Sequence, residues 1–545
     1  MNSGLASGQS SVPGTGSAAP PPAATPLSRW LLLLLAAAAP AVFALATDNI
    51  WEDFFITYRS SVNLVHGDGL VFEVGRRLHT FTSPLGVLLP AGISWLLGAD
   101  DPLPVLDVFR VVSCLALAGA WALAAPRLVG AAAVAVAAAL WLLDPKLAAY
   151  ATNGMETGLL AFFVILWWRA LLDGRTGLAG LALGGLMWTR PDGFVYAGAI
   201  AAGIWLFPAS TGRLPWRDWL RIAVIAAVIY TPWFGWAWSY YGSPVPNTIV
   251  AKGTHLAGAE SVKLLLTYPI RYVFGRCVAH DAFLPPYFFF GGWPAWLWWL
   301  GKALALGAAA VAAWPRCARP ARVAGLAFVL GGAYLTVAAR APWYFPAWQV
   351  LAYIAVGGGA AAVLDGLRAR PGLRRAVAGL LVTAGLAQAA MFVAVSTELR
   401  EQQRLIEWGL RAPLGRDLAR AAAGPKDTVF LEPLGYIGFY SGLSMRDTPG
   451  LCAPEVIAIR KRGHVQQAAI IAELQPDWAV LRAGDYLGFT AAERREFERH
   501  YGLWARYDVR DQVNAVEWFP GREFALFDAY FLVWRRRPPG EPGQP

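Results

Sequence analysis

Long runs of apolar residues recur through the first 394 residues of this chain. Eleven of them are candidates for membrane-spanning helices: residues 30–46, 105–125, 128–143, 157–172, 177–189, 194–207, 219–238, 287–314, 323–339, 345–364 and 376–394. A helix needs about 20 apolar residues to cross the hydrocarbon core of a bilayer. The composition agrees, since 57% of the residues are hydrophobic and only 15% are charged, against about 25% charged in soluble proteins. The sequence therefore predicts a mainly α, polytopic helical membrane protein.

The basic residues between these runs orient the predicted spans. Arg-rich loops lie at 173–175, 211–221, 316–322 and 365–375, and the positive-inside rule places such loops in the cytoplasm. Successive spans cross the membrane in opposite directions, and all of these loops fall on the cytoplasmic side only if the run 84–98 does not cross. This run is short and contains a proline, so we predict that it forms a helix at the outer surface. The result is 11 spans, with the N-terminus inside and the C-terminus outside.

Composition divides the chain into three parts. Residues 1–28 are mostly Ser, Gly, Pro and Ala and are typical of a disordered tail. Residues 29–394 form the membrane domain, in which a long first outer loop occupies 48–104. Residues 395–545 are richer in charge, with strand-like runs TVFLEP, DWAVLRAG and FALFDAYFLVW alternating with helix-like VQQAAIIAEL and AAERREFERHY. This pattern predicts a small extracytoplasmic α/β domain.

Several functional classes find no support. The net charge of +10 lies mostly in short loops, which indicates topology and contact with the lipid bilayer, not nucleic acid. The four cysteines are scattered without metal-ligand spacing, so no metal site is predicted. The sequence contains no phosphate-binding loop or dinucleotide fingerprint.

The first outer loop begins with two adjacent carboxylates, Glu52 and Asp53, between aromatic residues. A carboxylate whose pKa is raised by partial burial can act as a general base. The alternative is a helix N-cap, where acidic residues are also favoured. Further along the loop, LVFEV (70–74) is strand-like and is flanked by glycines that predict tight turns.

Cations on the outer side run against the positive-inside trend and suit an anionic ligand such as a lipid phosphate. The candidates for phosphate binding are Arg59, Arg190, Lys252 and Arg340. Pairing with local carboxylates or head groups is the alternative for each arginine, and exposure to solvent is the alternative for Lys252. The remaining site candidates are Tyr58, Glu156, Asp192, Asn247, His280 and Asp281. Among these, Glu156 could instead cap a helix, and Asp192 could simply pair with Arg190.

Six segments occur here in an order typical of one family: EDFFITYRSSVNLVHGDGLVFEVGRRLHTFTSPLGVLL, NGMETGLLAF, MWTRPDGFV, YYGSPVPNTIVAK, WYFP and GYIGFYSGLSMRDTPGL. Together they resemble the bacterial GT-C membrane glycosyltransferases, most closely the arabinofuranosyltransferase-like branch. The resemblance covers about residues 30–455. It implies transfer of one sugar from a polyprenyl-phosphate donor to a hydroxyl of a cell-envelope glycan, glycolipid or protein, at the outer face of the bacterial cytoplasmic membrane.

The resemblance also implies roles for residues. The catalytic carboxylate of the family lies in the acidic pair of the first outer loop, which matches Glu52–Asp53, and we favour Asp53 as the base. The family commonly has Asp-Asp there, so Glu52 leaves a divalent cation unsupported, and no cofactor is predicted besides the lipid-linked donor substrate. The alternatives are a GT-C enzyme with another lipid-linked sugar, such as mannose, on a protein or lipid acceptor, a polyprenyl-lipid transporter, and a non-catalytic scaffold.

Overall fold

The computed structural model describes residues 26–253, 258–337 and 341–538. The first helices are α1 (Pro26–Thr47), α2 (Glu52–Val65), α3 (Pro84–Leu97), α4 (Pro102–Ala124), α5 (Ala131–Leu142), α6 (Pro145–Thr152), α7 (Thr157–Leu172), α8 (Thr176–Thr189), α9 (Gly193–Leu206) and α10 (Trp216–Tyr241). They continue as α11 (Asn247–Gly253), α12 (Ala259–Val273), α13 (Val278–Asp281), α14 (Leu297–Ala313), α15 (Arg319–Val337), α16 (Pro346–Gly366) and α17 (Pro371–Gln402). Most of the predicted disordered tail, residues 1–25, lies outside the described residues, and α1 begins at Pro26.

A helix overlaps each of the eleven predicted spans, which confirms the helical membrane fold. The predicted span 287–314 is corrected at its start, because α14 begins only at Leu297, after two glycines with positive φ, Gly291 and Gly292. Among the described residues, six helices are long and apolar enough to cross a bilayer alone: α1, α4, α10, α15, α16 and α17. The pair α5 and α6, bent by 53°, could form a seventh span. Helices α7, α8, α9 and α14 are apolar but shorter, so the count of eleven crossings stays a prediction.

Helix α3 has clear local start and stop signals. Ser83 accepts a hydrogen bond from the Gly86 N–H at 2.8 Å, Pro84 occupies the first turn, and Gly98 ends the helix with a φ of 59°. With 14 residues, α3 is about 21 Å long at 1.5 Å per residue, against about 30 Å of hydrocarbon. The predicted helix at 84–98 therefore exists and is too short to cross upright.

The C-terminal part contains a five-stranded mixed sheet. Its strands are β1 (Thr428–Leu431), β2 (Ser444–Asp447), β3 (Trp478–Arg482), β4 (Tyr501–Asp508) and β5 (Tyr530–Arg536). Their order is β2-β1-β3-β5-β4, with β1 parallel to β2 and β3, and β5 antiparallel to β3 and β4. The accompanying helices are α18 (Ala412–Ala421), α19 (Gly435–Ser441), α20 (Pro454–Lys461), α21 (Gln467–Leu474), α22 (Ala483–Leu487), α23 (Ala491–His500), α24 (Arg510–Ala515) and α25 (Arg522–Phe527).

Two strand predictions are corrected. FALF, the start of the run FALFDAYFLVW, belongs to α25, and only its end forms β5; a short apolar run does not separate helix from strand by period. The LVFEV segment forms no strand, and its only ladder contact among described residues is a bridge between Glu73 and Arg76. Strands β2 and β4, at the two edges of the sheet, were missed because edge strands carry polar residues.

The C-terminal part packs directly on the segment 48–104, which is predicted to form the first outer loop. Ile56 and Phe72 share one hydrophobic cluster with Leu410 and Ile437. The ring centroids of Phe55 and Tyr436 lie 4.2 Å apart. Helix α19 therefore presses on α2, the helix that carries the acidic pair.

Candidate active site

One cavity collects residues from widely separated segments, all predicted on the outer side. It is lined by the α2 residues Asp53, Phe54, Ile56 and Thr57, by Thr80–Ser83, by Gly154–Glu156, and by Arg190, Thr248, Lys252, Trp343 and Leu451. Four predicted site residues, Asp53, Glu156, Arg190 and Lys252, thus meet at one place. These segments converge from different parts of the chain, and their place on the outer side stays a prediction.

The start of α2 is fixed by backbone contacts. The Trp51 N–H donates to the Asn153 carbonyl at 2.8 Å, which joins the first outer loop to the NGMET segment. Trp51 is the N-cap residue, without a side-chain capping bond, so Glu52 and Asp53 form the first helical turn. The N-cap alternative for the acidic pair is therefore wrong, although both carboxylates still lie at the positive end of the helix.

The two adjacent carboxylates face different surroundings, because neighbours on a helix do not share a face. Asp53 lines the cavity, and burial raises its pKa although Lys252 and Arg190 partly oppose the shift. Glu52 turns toward the C-terminal part. Its carboxyl accepts from the Gly435 N–H at 2.8 Å and lies 3.3 Å from the Arg411 guanidinium.

Burial raises the pKa of Glu52 to about 8, against 4.5 for an unperturbed Glu. Glu52 therefore carries a proton in the folded protein over much of the range in which it would be ionised in the unfolded chain. Folding stability contributed by this group falls as the pH rises from about 5 to about 8. We expect a Glu52→Gln variant, which cannot titrate, to gain in Tm relative to wild type over this range, as measured by thermal unfolding in detergent. A constant Tm difference across the range would contradict this expectation.

Arg190 is held in a buried triad of charges. Its guanidinium lies 2.9 Å from Glu156 and 2.8 Å from Asp192, and it stacks on the ring of Tyr344 at 4.7 Å. Glu156 occupies the N-cap position of α7 without a capping bond, and burial raises the pKa of its carboxyl despite Arg190. The predicted alternative, pairing of Arg190 with Asp192, is what the structure has, so much of the Arg190 charge is already compensated.

Lys252 differs from Arg190 in this respect. It lines the cavity and, across the described part of the chain, no carboxylate lies within ion-pair distance of it. Asn247, at the start of the same helix α11, donates from its side chain to the Gly450 and Leu451 carbonyls, both at 2.8 Å. Asn247 is therefore a structural anchor for the cavity wall, and Lys252 is the stronger candidate for an anionic group.

Other candidates lie elsewhere. Arg59 donates to the carbonyls of Gly438, Gly442 and Leu443 at 2.8–3.1 Å, so it joins α2 to α19 and does not line the cavity. The Tyr58 hydroxyl donates to the Asp100 carbonyl at 3.2 Å. Both contacts are structural, and the phosphate-binding prediction for Arg59 is corrected accordingly.

The site candidates His280 and Asp281 are not among the residues that line the cavity. His280 is buried, with Nε2 2.9 Å from the Tyr272 carbonyl, and burial lowers its pKa to about 4. Asp281 instead forms an ion pair with Arg276 at 3.3 Å. Arg340 lies outside the described residues.

Reasoning from the sequence missed a buried charge network around Arg411. Its guanidinium contacts Glu407 at 2.9 Å and Asp528 at 2.7 Å besides Glu52, and Asp528 in turn lies 2.5 Å from Arg482. These residues lie far apart in the chain and form no motif, so no sequence signal identifies them. The network connects the acidic pair to the C-terminal sheet.

Gly154 in NGMET is required by the close approach of this segment to α2. Its φ is 93°, and an added Cβ would lie 2.5 Å from the Phe54 ring. We expect Gly154→Ala to lower Tm and activity, because backbone strain of about 1 kcal/mol is joined by a clash beside Asp53. Gly174→Ala is the matched control, since Gly174 has a φ of 66° but no atom near an added Cβ. Equal Tm losses in the two variants would contradict the clash.

A metal centre was not predicted, and in the described ranges no three His, Cys, Asp or Glu side chains are grouped to hold an ion. All four cysteines are buried and unpaired. The charged groups that line the cavity include a partly buried carboxylate, Asp53, and a cation, Lys252.

Comparisons with known proteins give a family model and one curated relative. Residues 397–527 match a model described as a domain of unknown function, DUF8728. The terminal beta-(1->2)-arabinofuranosyltransferase of Mycobacterium tuberculosis is 30% identical over 222 residues, which is 37% of this chain and 35% of that protein. The alignment thus spans about a third of the length of the relative.

Two solved structures are similar. The crystal structure of ArnT from Cupriavidus metallidurans bound to undecaprenyl phosphate has a TM-score of 0.55 at 14% identity, covering 95% of this chain and 100% of ArnT. The cryo-EM structure of the arabinofuranosyltransferase AftD from Mycobacteria has a TM-score of 0.41 at 16% identity, covering 96% of this chain and 41% of AftD. The likeness to ArnT extends over nearly the whole chain, so this chain shares the fold of that structure.

Proposed function

We propose that this protein is a membrane glycosyltransferase that moves one sugar, arabinofuranose, from a polyprenyl-phosphate donor to an acceptor hydroxyl. The observation that carries the proposal is the joint lining of one cavity by Asp53 and Lys252. A base for the acceptor and a cation for the leaving phosphate are the two groups that such a transfer requires. The partial relative, a terminal arabinofuranosyltransferase, supports arabinose as the sugar.

The proposed reaction is a direct displacement. The acceptor oxygen attacks the anomeric carbon as the bond from that carbon to the phosphate oxygen breaks, so the anomeric centre inverts. Asp53 takes the proton that leaves the acceptor hydroxyl. The raised pKa of Asp53 favours this role, because a carboxyl buried in an apolar site is a stronger base than one in water.

Lys252 is proposed to stabilise the departing polyprenyl phosphate. The polyprenyl phosphate gains negative charge as the sugar leaves, and a fixed cation in a partly buried cavity stabilises this charge by several kcal/mol. Arg190, stacked on Tyr344 and paired with two carboxylates, is a positioning residue that holds the Glu156 segment against the cavity. Glu52 has a corresponding positioning role toward the C-terminal part.

The site is proposed to face the outside of the bacterial cytoplasmic membrane, with residues 395–545 as a separate outer domain next to the acceptor. The packing of α19 on α2 supports a role of the C-terminal part in binding the acceptor. Helix α19 contacts α2, and α2 carries Asp53. The acceptor is a hydroxyl of a cell-envelope glycan, glycolipid or protein.

The proposal is tested by incubating the purified full-length protein with radiolabelled decaprenyl-phosphoryl-arabinose and a panel of envelope acceptors. We expect label to move to an acceptor and free decaprenyl phosphate to appear in equal amount. Transfer only from a mannose-type lipid-linked sugar would replace the sugar assignment and keep the reaction class. Movement of intact donor across vesicles without transfer would refute the enzyme and favour a transporter.

A further inference from the structure

Two buried threonine hydroxyls in the cavity have no assigned role. Thr80 and Thr248 are only 3% and 6% exposed, and both line the cavity with Asp53. Neither hydroxyl has a hydrogen-bond partner among the residues that the structure describes. A buried hydroxyl without a partner is costly and uncommon in folded proteins, so a pair of them at one site indicates a polar ligand.

Two neighbouring hydroxyls in the same cavity form hydrogen bonds with the protein backbone. Thr57 donates to the Phe54 carbonyl at 3.0 Å, and Ser83 accepts from the Gly86 N–H at 2.8 Å to begin α3. Among the buried hydroxyls that line this cavity, the missing partners are thus particular to Thr80 and Thr248. The remaining lining hydroxyl, that of Thr82, belongs to a partly exposed residue. This contrast separates a ligand-binding pair from hydroxyls that maintain the fold.

The wall that carries the two threonines is held rigidly. The Asn247 N–H donates to the His79 carbonyl at 2.8 Å, so the residues that follow, Thr80 and Thr248, lie on two segments joined by this bond. The Asn247 side chain ties the same wall to Gly450 and Leu451. Side chains placed in this way are preorganised for a ligand.

The position of Lys252 indicates which part of a donor would reach this wall. Thr248 and Lys252 are four residues apart on α11, so they project from the same helix face with their Cβ atoms about 5–6 Å apart. A phosphate at Lys252 would place the attached sugar about one helical turn away, next to Thr248. Sugar hydroxyls both donate and accept hydrogen bonds, as threonine hydroxyls do.

We propose that Thr80 and Thr248 hydrogen-bond ring hydroxyls of the donor sugar and thereby select which lipid-linked sugar is transferred. This inference rests on the proposed function and deepens it. Lys252 binds the phosphate of the donor. Thr80 and Thr248 form hydrogen bonds with the sugar and so discriminate between sugars.

The test compares decaprenyl-phosphoryl-arabinose with analogues in which one ring hydroxyl is replaced by hydrogen. Wild type is expected to prefer the complete donor over at least one analogue by about tenfold in kcat/KM, the value of one hydrogen bond. Thr248→Val and Thr80→Val, which keep the side-chain shape, are each expected to lose this preference for one analogue. Thr57→Val is the matched control and is expected to keep the wild-type ratios, since its hydroxyl serves the backbone.

Two results would contradict the inference. If both valine variants keep the wild-type ratio of kcat/KM for every analogue, the two hydroxyls do not recognise the sugar. If the variants weaken binding of decaprenyl phosphate itself as much as binding of the complete donor, the hydroxyls bind phosphate and the sugar assignment is wrong.

A binding measurement separates this inference from the proposed function. The complete donor is expected to raise Tm of the full-length protein more than decaprenyl phosphate does, and Thr248→Val is expected to lose the extra increment. If wild type transfers nothing but shows this increment and its loss, the transferase is refuted while the sugar-binding pair stands. If wild type shows no extra increment, the sugar-binding pair is refuted.

Discussion

Replacement of Asp53 by Asn is expected to lower kcat/KM for sugar transfer by about 10²- to 10⁴-fold, the usual contribution of a general base. Asn keeps the size of the side chain and removes its ability to take a proton. Since Asp53 is partly buried and burial disfavours its charged form, the variant is expected to fold at least as well as wild type. The measurement is transfer of labelled arabinose at equal protein concentration, with Tm as the check on folding.

The pH profile provides a second readout for Asp53. The base must be ionised, so kcat/KM of wild type is expected to increase with pH through the pKa of Asp53. Because burial raises that pKa, the ascending limb should lie above the ordinary value of about 3.9 for Asp. The Asn variant is expected to lack this limb.

Glu52→Gln is the matched control for the adjacent carboxyl. Glu52, with a pKa of about 8, is largely neutral near pH 7, and Gln reproduces that neutral form while still accepting from Gly435. A loss of less than about tenfold is expected, as for one weakened hydrogen bond. If Glu52→Gln abolishes transfer and Asp53→Asn does not, the base is assigned to the wrong carboxyl.

Lys252→Met is expected to lower kcat/KM by about 10²-fold, the scale of losing one fixed charge-stabilising group in an active site. Met retains most of the aliphatic length and removes the ammonium, so the phosphate of the donor loses the cation that we propose as its ligand. The same variant should bind free decaprenyl phosphate more weakly, which is measured as a higher inhibition constant for that product.

Lys263→Met is the matched control, because Lys263 is exposed on α12 and takes no part in the cavity. It is expected to behave as wild type in both rate and inhibition. Should Lys252→Met retain wild-type inhibition by decaprenyl phosphate, Lys252 is not a phosphate ligand and the phosphate assignment fails.

Much of the fold could be predicted because membrane helices are specified locally. The run of residues from Pro84 to Leu97 carries its own N-cap, its own proline at the first turn and its own C-terminal glycine, so its bounds follow from nearby residues. In the C-terminal part, β1 and β3 were predicted from apolar runs, whereas the polar edge strand β2 was not. Strand β2 is mostly buried, but its sequence SMRD contains three polar residues and so no apolar run marks it.

Some of the predicted site residues line one cavity, and others have contacts elsewhere in the structure. Asp53, Glu156, Arg190 and Lys252 line one cavity, as their common predicted side requires. Arg59 instead donates hydrogen bonds to three backbone carbonyls of the C-terminal part. A sequence shows that an arginine is present but not which acceptor it meets.

The sequence by itself determined that this chain crosses a membrane many times, because hydrophobic length and the placement of arginine act on each segment separately. It also determined that an acidic pair, Glu52 and Asp53, follows the first apolar run. Only the tertiary structure decided that Asp53 faces the cavity while Glu52 faces Arg411, 359 residues away in the chain. The physical reason is that burial and ion pairing depend on segments brought together by folding, and these interactions set the pKa and the role of each carboxyl.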